Sequence, residues 1–154
     1  MFMPKGNKKI FAIASGGGHW TQLLRLLPAF ENHRLHLATT VKGLEYKLIG
    51  IPVHTIRDAS RSDPIGLAIM LAQLFWLLLH LRPDIVITTG AAPGVASIFI
   101  GKFLGARTVW LDSIANADEM SLSGRIVARR ADLWLTQWPD LARDEGPHFR
   151  GAVL

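Results

Sequence analysis

A chain of 154 residues, 49% of them hydrophobic, is long enough to bury one core and too short for two ordinary ones, so a single domain over 1–154 is expected. Its 14 glycines, 8 prolines and 19% charged residues exclude a disordered chain or a coiled coil, and the lack of cysteine removes disulfides, thiolate metal sites and thiol nucleophiles. The formal charge of +5 favours anionic partners: phosphates, nucleic acid or an acidic lipid surface.

The residues up to Lys9 are basic but lead directly into a short apolar strand, without the long apolar run and cleavage site of a signal peptide, so a cytoplasmic address is expected. Short β-branched or apolar runs at 9–14, 35–40, 52–56, 84–88, 108–111 and 133–136 read as strands. Helical patterns at 20–30, 64–81, 93–104 and 121–130 fill the gaps, each opened by a turn or cap signal. Alternation of this kind predicts an α/β fold, a Rossmann-like parallel sheet with helices on both faces. Ligands of such sheets sit at the carboxyl ends of the strands, which directs attention to the loops after the strands.

The first such loop is Ser15-Gly16-Gly17-Gly18-His19. Three glycines let the backbone approach a ligand closely, and the free N–H groups at the start of the following helix suit a phosphate or diphosphate. A tight turn without a ligand is the alternative. A dinucleotide fingerprint fails twice, because Thr21 stands where the third glycine belongs and Thr39 and Thr40 where an acidic residue belongs; no Gly-Lys-Ser/Thr marks a P-loop. His19, at the mouth of the helix, can take a proton from a hydroxyl or contact phosphate; otherwise it caps the helix or fills space.

Between Ile65 and Leu81 only Gln73 and His80 are strongly polar, so this helix needs cover on nearly all sides. Seventeen residues span roughly 26 Å, slightly short of a ~30 Å hydrocarbon core, and the strand that follows within three residues must rejoin the sheet, which argues against a crossing. The helix is either buried among neighbouring elements or docks its outer side on a membrane or a partner. Arg57, Arg61 and Arg82 flank it and can meet anionic headgroups. Farther on, Thr89-Gly90-Ala91-Ala92-Pro93-Gly94 forms a second loop, and a third carries Asp112, Ser113, Asp118 and Glu119. Its carboxylates suit a general base or a hydroxyl-orienting group, while Ser121 and Ser123 stand where a helix cap belongs. No His and carboxylate cluster has metal-ligand spacing, so no metal is expected.

The run Asp112-Ser113, Leu122-Ser123-Gly124-Arg125, Ala131-Asp132 and Gln137-Trp138-Pro139 resembles the membrane-anchoring subunit of the UDP-GlcNAc transferase of N-glycan assembly. That family includes bacterial exopolysaccharide proteins described as accessory subunits of a β-1,4-glucuronosyltransferase. The loop Ser15 to Trp20, Pro83-Asp84 and Thr89-Gly90 fit the same family, so the resemblance covers nearly the whole chain. A weaker likeness, limited to the glycine-histidine loop, is to the peptidoglycan transferase that adds N-acetylglucosamine to a lipid-linked precursor.

The resemblance implies the N-terminal, acceptor-binding half of a GT-B glycosyltransferase whose catalytic partner polypeptide binds the UDP-sugar donor, with no cofactor. It also implies a polyprenyl diphosphate-linked saccharide as acceptor and a peripheral place on the cytoplasmic face of the inner membrane; nucleic acid has no part in it. On this reading Ser15, Gly16, Gly17, Gly18, Thr89, Gly90, Asp112 and Ser113 hold the acceptor and its diphosphate, and His19, then Glu119, are the candidate bases. Asp112 stands where the family pattern has glutamate, Asn116 where eukaryotic members have arginine, and their amino-terminal anchor is not seen, leaving the helix from Ile65 as the expected membrane contact.

Overall fold

The computed structural model describes residues 7–44, 48 and 50–153; residues 1–6, read above for a leader, lie outside it. The strands are β1 (Lys9–Ala14), β2 (Arg34–Thr39), β3 (Val53–Thr55), β4 (Ile85–Thr88), β5 (Arg107–Leu111), β6 (Leu133–Thr136) and β7 (His148–Phe149). They form one sheet in the order β3-β2-β1-β4-β5-β6-β7, with every pair parallel. β1 is central, and its residues from Ile10 to Ala14 are all buried, which is why it reads as an unbroken apolar run rather than an alternating one.

The helices are α1 (Gly18–Arg25), α2 (Pro64–Leu81), α3 (Ala91–Phe103) and α4 (Leu122–Val127). Alternate residues of β1 point to opposite faces. Ala12 and Ala14 pack with Trp20 and Leu23 of α1, whereas Phe11 and Ile13 pack with Met70, Leu74 and Leu78 of α2 and Ala96 of α3. Ile98 of α3 and Val127 of α4 meet on Trp110 of β5, so α2, α3 and α4 share one face and α1 covers the other.

The elements depart from the sequence expectation in several places; the helix expected over 121–130 is only Leu122–Val127. The helix expected over 20–30 splits into α1 and a 3₁₀ turn, Leu27–Phe30, because Pro28 has no N–H to continue the ladder. α3 begins two residues before Pro93, which sits in the first turn, where a missing N–H costs nothing. Beyond the last expected strand, at 133–136, the chain holds a 3₁₀ turn, Pro139–Leu141, and the short edge strand β7.

α2 has one buried side and one open side. Asp63 caps it by accepting from the Gly66 N–H at 2.8 Å, and Arg82 closes it in the left-handed region at φ 44°. Gly66, Met70, Leu74 and Leu78, spaced four apart, form its buried stripe. Its outer side is open: Ile65 is 74% and Trp76 64% exposed, and Ile69, Leu71 and Phe75 are exposed beside them. Its two polar residues act locally, Gln73 Oε1 accepting from the Arg57 N–H and His80 Nδ1 bonding the Trp76 carbonyl. Among the described residues α2 is the one helix long and apolar enough to cross a membrane, with mean hydropathy 1.9, yet the strands at its two ends belong to the same sheet.

Candidate functional site

From β1 the chain passes through α1 toward β2 and β3 on one side; from β4 it passes through α3 toward β5 and β6 on the other, on the opposite face. The topological switch point therefore lies between the carboxyl ends of β1 and β4, where open α/β sheets bind ligands. His19 spans it. Its Nδ1 lies 2.8 Å from the carbonyl oxygen of Thr89, and the Thr89 hydroxyl donates back to the His19 carbonyl at 2.7 Å. A carbonyl only accepts, so Nδ1 carries the proton, and in the neutral ring Nε2 keeps its lone pair for another partner. His19 is half-buried, at the rim between core and solvent.

One glycine makes room for this contact, and a second lets the loop after β2 approach the glycine turn. A Cβ on Gly90 would lie 2.7 Å from His19 Cε1, and its φ of 132° disfavours a side chain independently of space. A Cβ on Gly16 would overlap Val41 Cγ2, so the loop after β2 can close over the glycine turn only because residue 16 has none. Ser15 is half-buried, and Gly17 and Gly18 are exposed at the start of α1. Ala91, at φ 67°, is a non-glycine residue in the left-handed region at the start of α3, a strained position next to the His19 contact.

The helix starts fall into two kinds. α2 and α4 are capped by Asp63 and Ser121, while α1 and α3, which begin at the switch point, have no side-chain cap. Their first N–H groups have no intrahelical acceptor and, with the helix dipoles, make the rim a favourable place for an anion.

The first residues of the loop after β5 face inward. Asp112 is 2% exposed, and its carboxylate accepts from Trp110 Nε1 (3.0 Å), Asn116 Nδ2 (3.2 Å), the Ser121 N–H (2.8 Å) and the Ser121 hydroxyl (2.5 Å). These donors engage both oxygens, so this residue braces its own loop rather than facing the cleft. Ser113 is also buried; its hydroxyl oxygen accepts from Gln22 Nε2 and the Ala115 N–H. Glu119 and Asp118 are exposed, Glu119 forms an ion pair with Arg125 at 3.1 Å, and no hydrogen bond among the described residues links it to His19 or Thr89.

Sequence reasoning missed Gln22 and the role of Gln137. Gln22 Oε1 accepts from the Ile114 N–H (3.1 Å) and Gln137 Nε2 (2.6 Å), and Gln137 Nε2 also reaches the Asp112 carbonyl (2.9 Å). The available signal was a polar residue between Trp20 and Leu23 on the apolar side of a short helix. Asp132, of the Ala131-Asp132 pair, is structural: burial would push its carboxyl up, but hydrogen bonds from Lys102 and Thr108 outweigh this and hold it below the usual carboxylate range.

Cavities of about 550 and 370 Å³ open at the amino ends of the strands, one beside His33 and His36 and one beside Arg82 and Asp84. Neither touches His19 or the glycine turn, so the carboxyl-edge rim is identified by its chemistry rather than by enclosure. No group of three or more potential metal ligands occurs among the described residues.

Residues 46–153 match the family model of Alg14-like oligosaccharide biosynthesis proteins. The chain belongs to the Alg14-like family. Among curated relatives, the UDP-N-acetylglucosamine transferase subunit ALG14 of Homo sapiens is 27% identical over 90% of this chain and 79% of its own length. The Mus musculus subunit is 25% identical with the same coverage, and that of Schizosaccharomyces pombe is 25% identical over 88% of this chain and 78% of its own. In three dimensions the family member superposes on MurG of Acinetobacter baumannii with a TM-score of 0.74 at 15% identity, over 94% of this chain and 45% of that one. A UDP-N-acetylglucosamine 2-epimerase from Rickettsia bellii gives 0.66 at 16% identity, over 88% and 40%. The chain thus has the Rossmann-like GT-B N-terminal fold expected of it and spans under half the length of these solved structures.

Proposed function

We propose that this chain is the acceptor-binding, membrane-associating subunit of a split inverting glycosyltransferase. Its acceptor is a polyprenyl diphosphate-linked saccharide, and its UDP-sugar donor is bound mainly by a separate catalytic subunit, with no cofactor. The observation that carries this is the His19–Thr89 latch across the switch point, set between two uncapped helix starts. The rim suits a diphosphate, and His19 Nε2 is left available for a hydroxyl proton. An acceptor hydroxyl that loses its proton there attacks the anomeric carbon as the UDP leaves, inverting that carbon.

The rim is open rather than enclosed, which fits a donor-binding wall supplied by another polypeptide. The relatives' names favour UDP-GlcNAc as donor; transfer of glucuronate in exopolysaccharide synthesis is the other version of the proposal, and a donor panel separates the two. The exposed apolar side of α2 supports seating on a membrane at its cytoplasmic face. That same observation favours a second reading, in which the chain is a non-catalytic scaffold that brings a complete transferase to the membrane.

Sugar transfer to a polyprenyl diphosphate-linked acceptor, assayed with this chain alone, the partner alone and both together, tests the proposal. Activity that needs both supports a split enzyme; activity of the partner alone, unchanged by this chain, leaves the scaffold. His19→Ala is expected to reduce transfer by the pair about 100- to 10,000-fold, the usual contribution of general acid–base catalysis, without dissociating it. Near-normal turnover would remove His19 from the reaction.

A further inference from the structure

We infer that Gln22 is a positioning residue for His19, locking the helix that carries the imidazole to the loops after β5 and β6. α1 has eight residues and no side-chain cap, too few to be stable alone, so its placement depends on tertiary anchors. Trp20 and Leu23 supply apolar ones, which tolerate sliding and rotation better than directional bonds do. The polar anchors are the Thr89 latch at the amino end and Gln22 one turn later.

Gln22 is buried, and its amide orientation follows from its partners. The Ile114 N–H and Gln137 Nε2 both must donate, so the atom they share is Oε1, and Nε2 is left to donate to Ser113 Oγ at 3.1 Å. Gln137 Oε1 in turn accepts from the Val153 N–H at 2.7 Å. Through Gln22 the helix is joined to the loops after β5 and β6; through His19 it is joined to the loop after β4. The loops after β1, β4, β5 and β6 are thereby held as one unit. A residue that only filled space here would not need a directional amide, and losing it would leave the His19 ring where it is.

The effect on sugar transfer rests on the function proposed above; the effect on the His19 ring does not. The test is ring ¹⁵N spectroscopy of the full chain, labelled at histidine, for the wild type, Gln22→Met, Gln22→Glu and Ser113→Ala, with His19 assigned through His19→Ala. The wild type is expected to show one His19 tautomer, protonated at Nδ1, with slow exchange of that proton. Gln22→Met, melting cooperatively, should show mixed tautomers and fast exchange. Gln22→Glu keeps an oxygen for Ile114 and Gln137, and the Ser113 hydroxyl can turn to donate to it, so the single tautomer should return.

In the reconstituted pair, Gln22→Met is expected to lower kcat by about 10- to 100-fold, the scale of a small misplacement of a reacting group, with acceptor KM little changed. An unchanged His19 signal in folded Gln22→Met overturns the inference. If that variant does not fold, Ser113→Ala, which removes the acceptor of Gln22 Nε2 and of the Ala115 N–H but leaves both bonds to Gln22 Oε1, decides: partial tautomer mixing supports the inference and an unchanged ring refutes it. A wild-type pair that transfers no sugar counts against the proposed function, while the ring spectra still decide the role of Gln22.

Discussion

Replacing Ile65 and Trp76 together by serine tests the membrane-facing role of α2 without touching its buried stripe. Fully burying an isoleucine contributes ~1.5–3 kcal/mol, and an indole presents roughly 200 Å² at ~25 cal/mol/Å². With 74% and 64% of these residues exposed, the open fractions correspond to about 1.5 and about 3 kcal/mol. A helix lying in the interface buries only its outer part, so roughly half, about 2 kcal/mol, is expected in partitioning, or about 30-fold weaker binding. Sedimentation with vesicles containing anionic lipid reads this directly, and a melting curve checks that the fold is intact. Arg61 and Arg82, exposed at the two ends of α2, should add a salt-sensitive contribution of ~1 kcal/mol each if they reach headgroups. A folded double variant that partitions like the wild type, or a wild type that does not bind vesicles, would refute the assignment of this face to lipid.

Asp112→Ala should destabilise the fold by about 3–5 kcal/mol, since it leaves four donors around a buried site without their acceptor; a urea midpoint unchanged from wild type would show that water replaces the carboxylate at no cost. Stability should also fall on acidification. His36 and His54, on β2 and β3, share a hydrogen bond of 3.2 Å between ring nitrogens, and both pKa values are lowered, by burial first, then for His36 by Lys9 and Arg34 and for His54 by His36. Because the folded pKa values lie below the ordinary one of about 6.5, the unfolded chain binds protons first. Full stability is therefore present above that pH and is lost as pH falls through the folded values. Chemical denaturation from pH 7.5 to pH 5 measures this, and His54→Gln should flatten the dependence; an equally steep fall in that variant would assign it to other groups.

The local parts of the molecule were legible in the residues. β1, β2, β4, β5 and β6 announce themselves as apolar runs because both faces of a parallel sheet are covered, and α2 declares both its ends through Asp63 and the residues after Leu81. The end of α1 at Arg25 was equally available in Pro28 but was overrun by the apolar pattern on either side of it. β7 was not legible, since two residues carry no periodicity and pair only because β6 offers a free edge.

The candidate site divides in the same way. By itself the sequence determined that a glycine turn and a histidine follow the first strand, that a second glycine follows the fourth, and that a long apolar helix lies between them. Such features depend on residue type and near neighbours. Only the tertiary structure decided that His19 meets Thr89 seventy positions away, that Asp112 turns inward while Glu119 stays in solvent, that Gln22 joins three loops, and that one side of α2 is left uncovered. Each of these depends on which strands become neighbours and which way a side chain leaves its backbone, and strand order and side-chain direction are properties of the packed chain, not of any stretch of it.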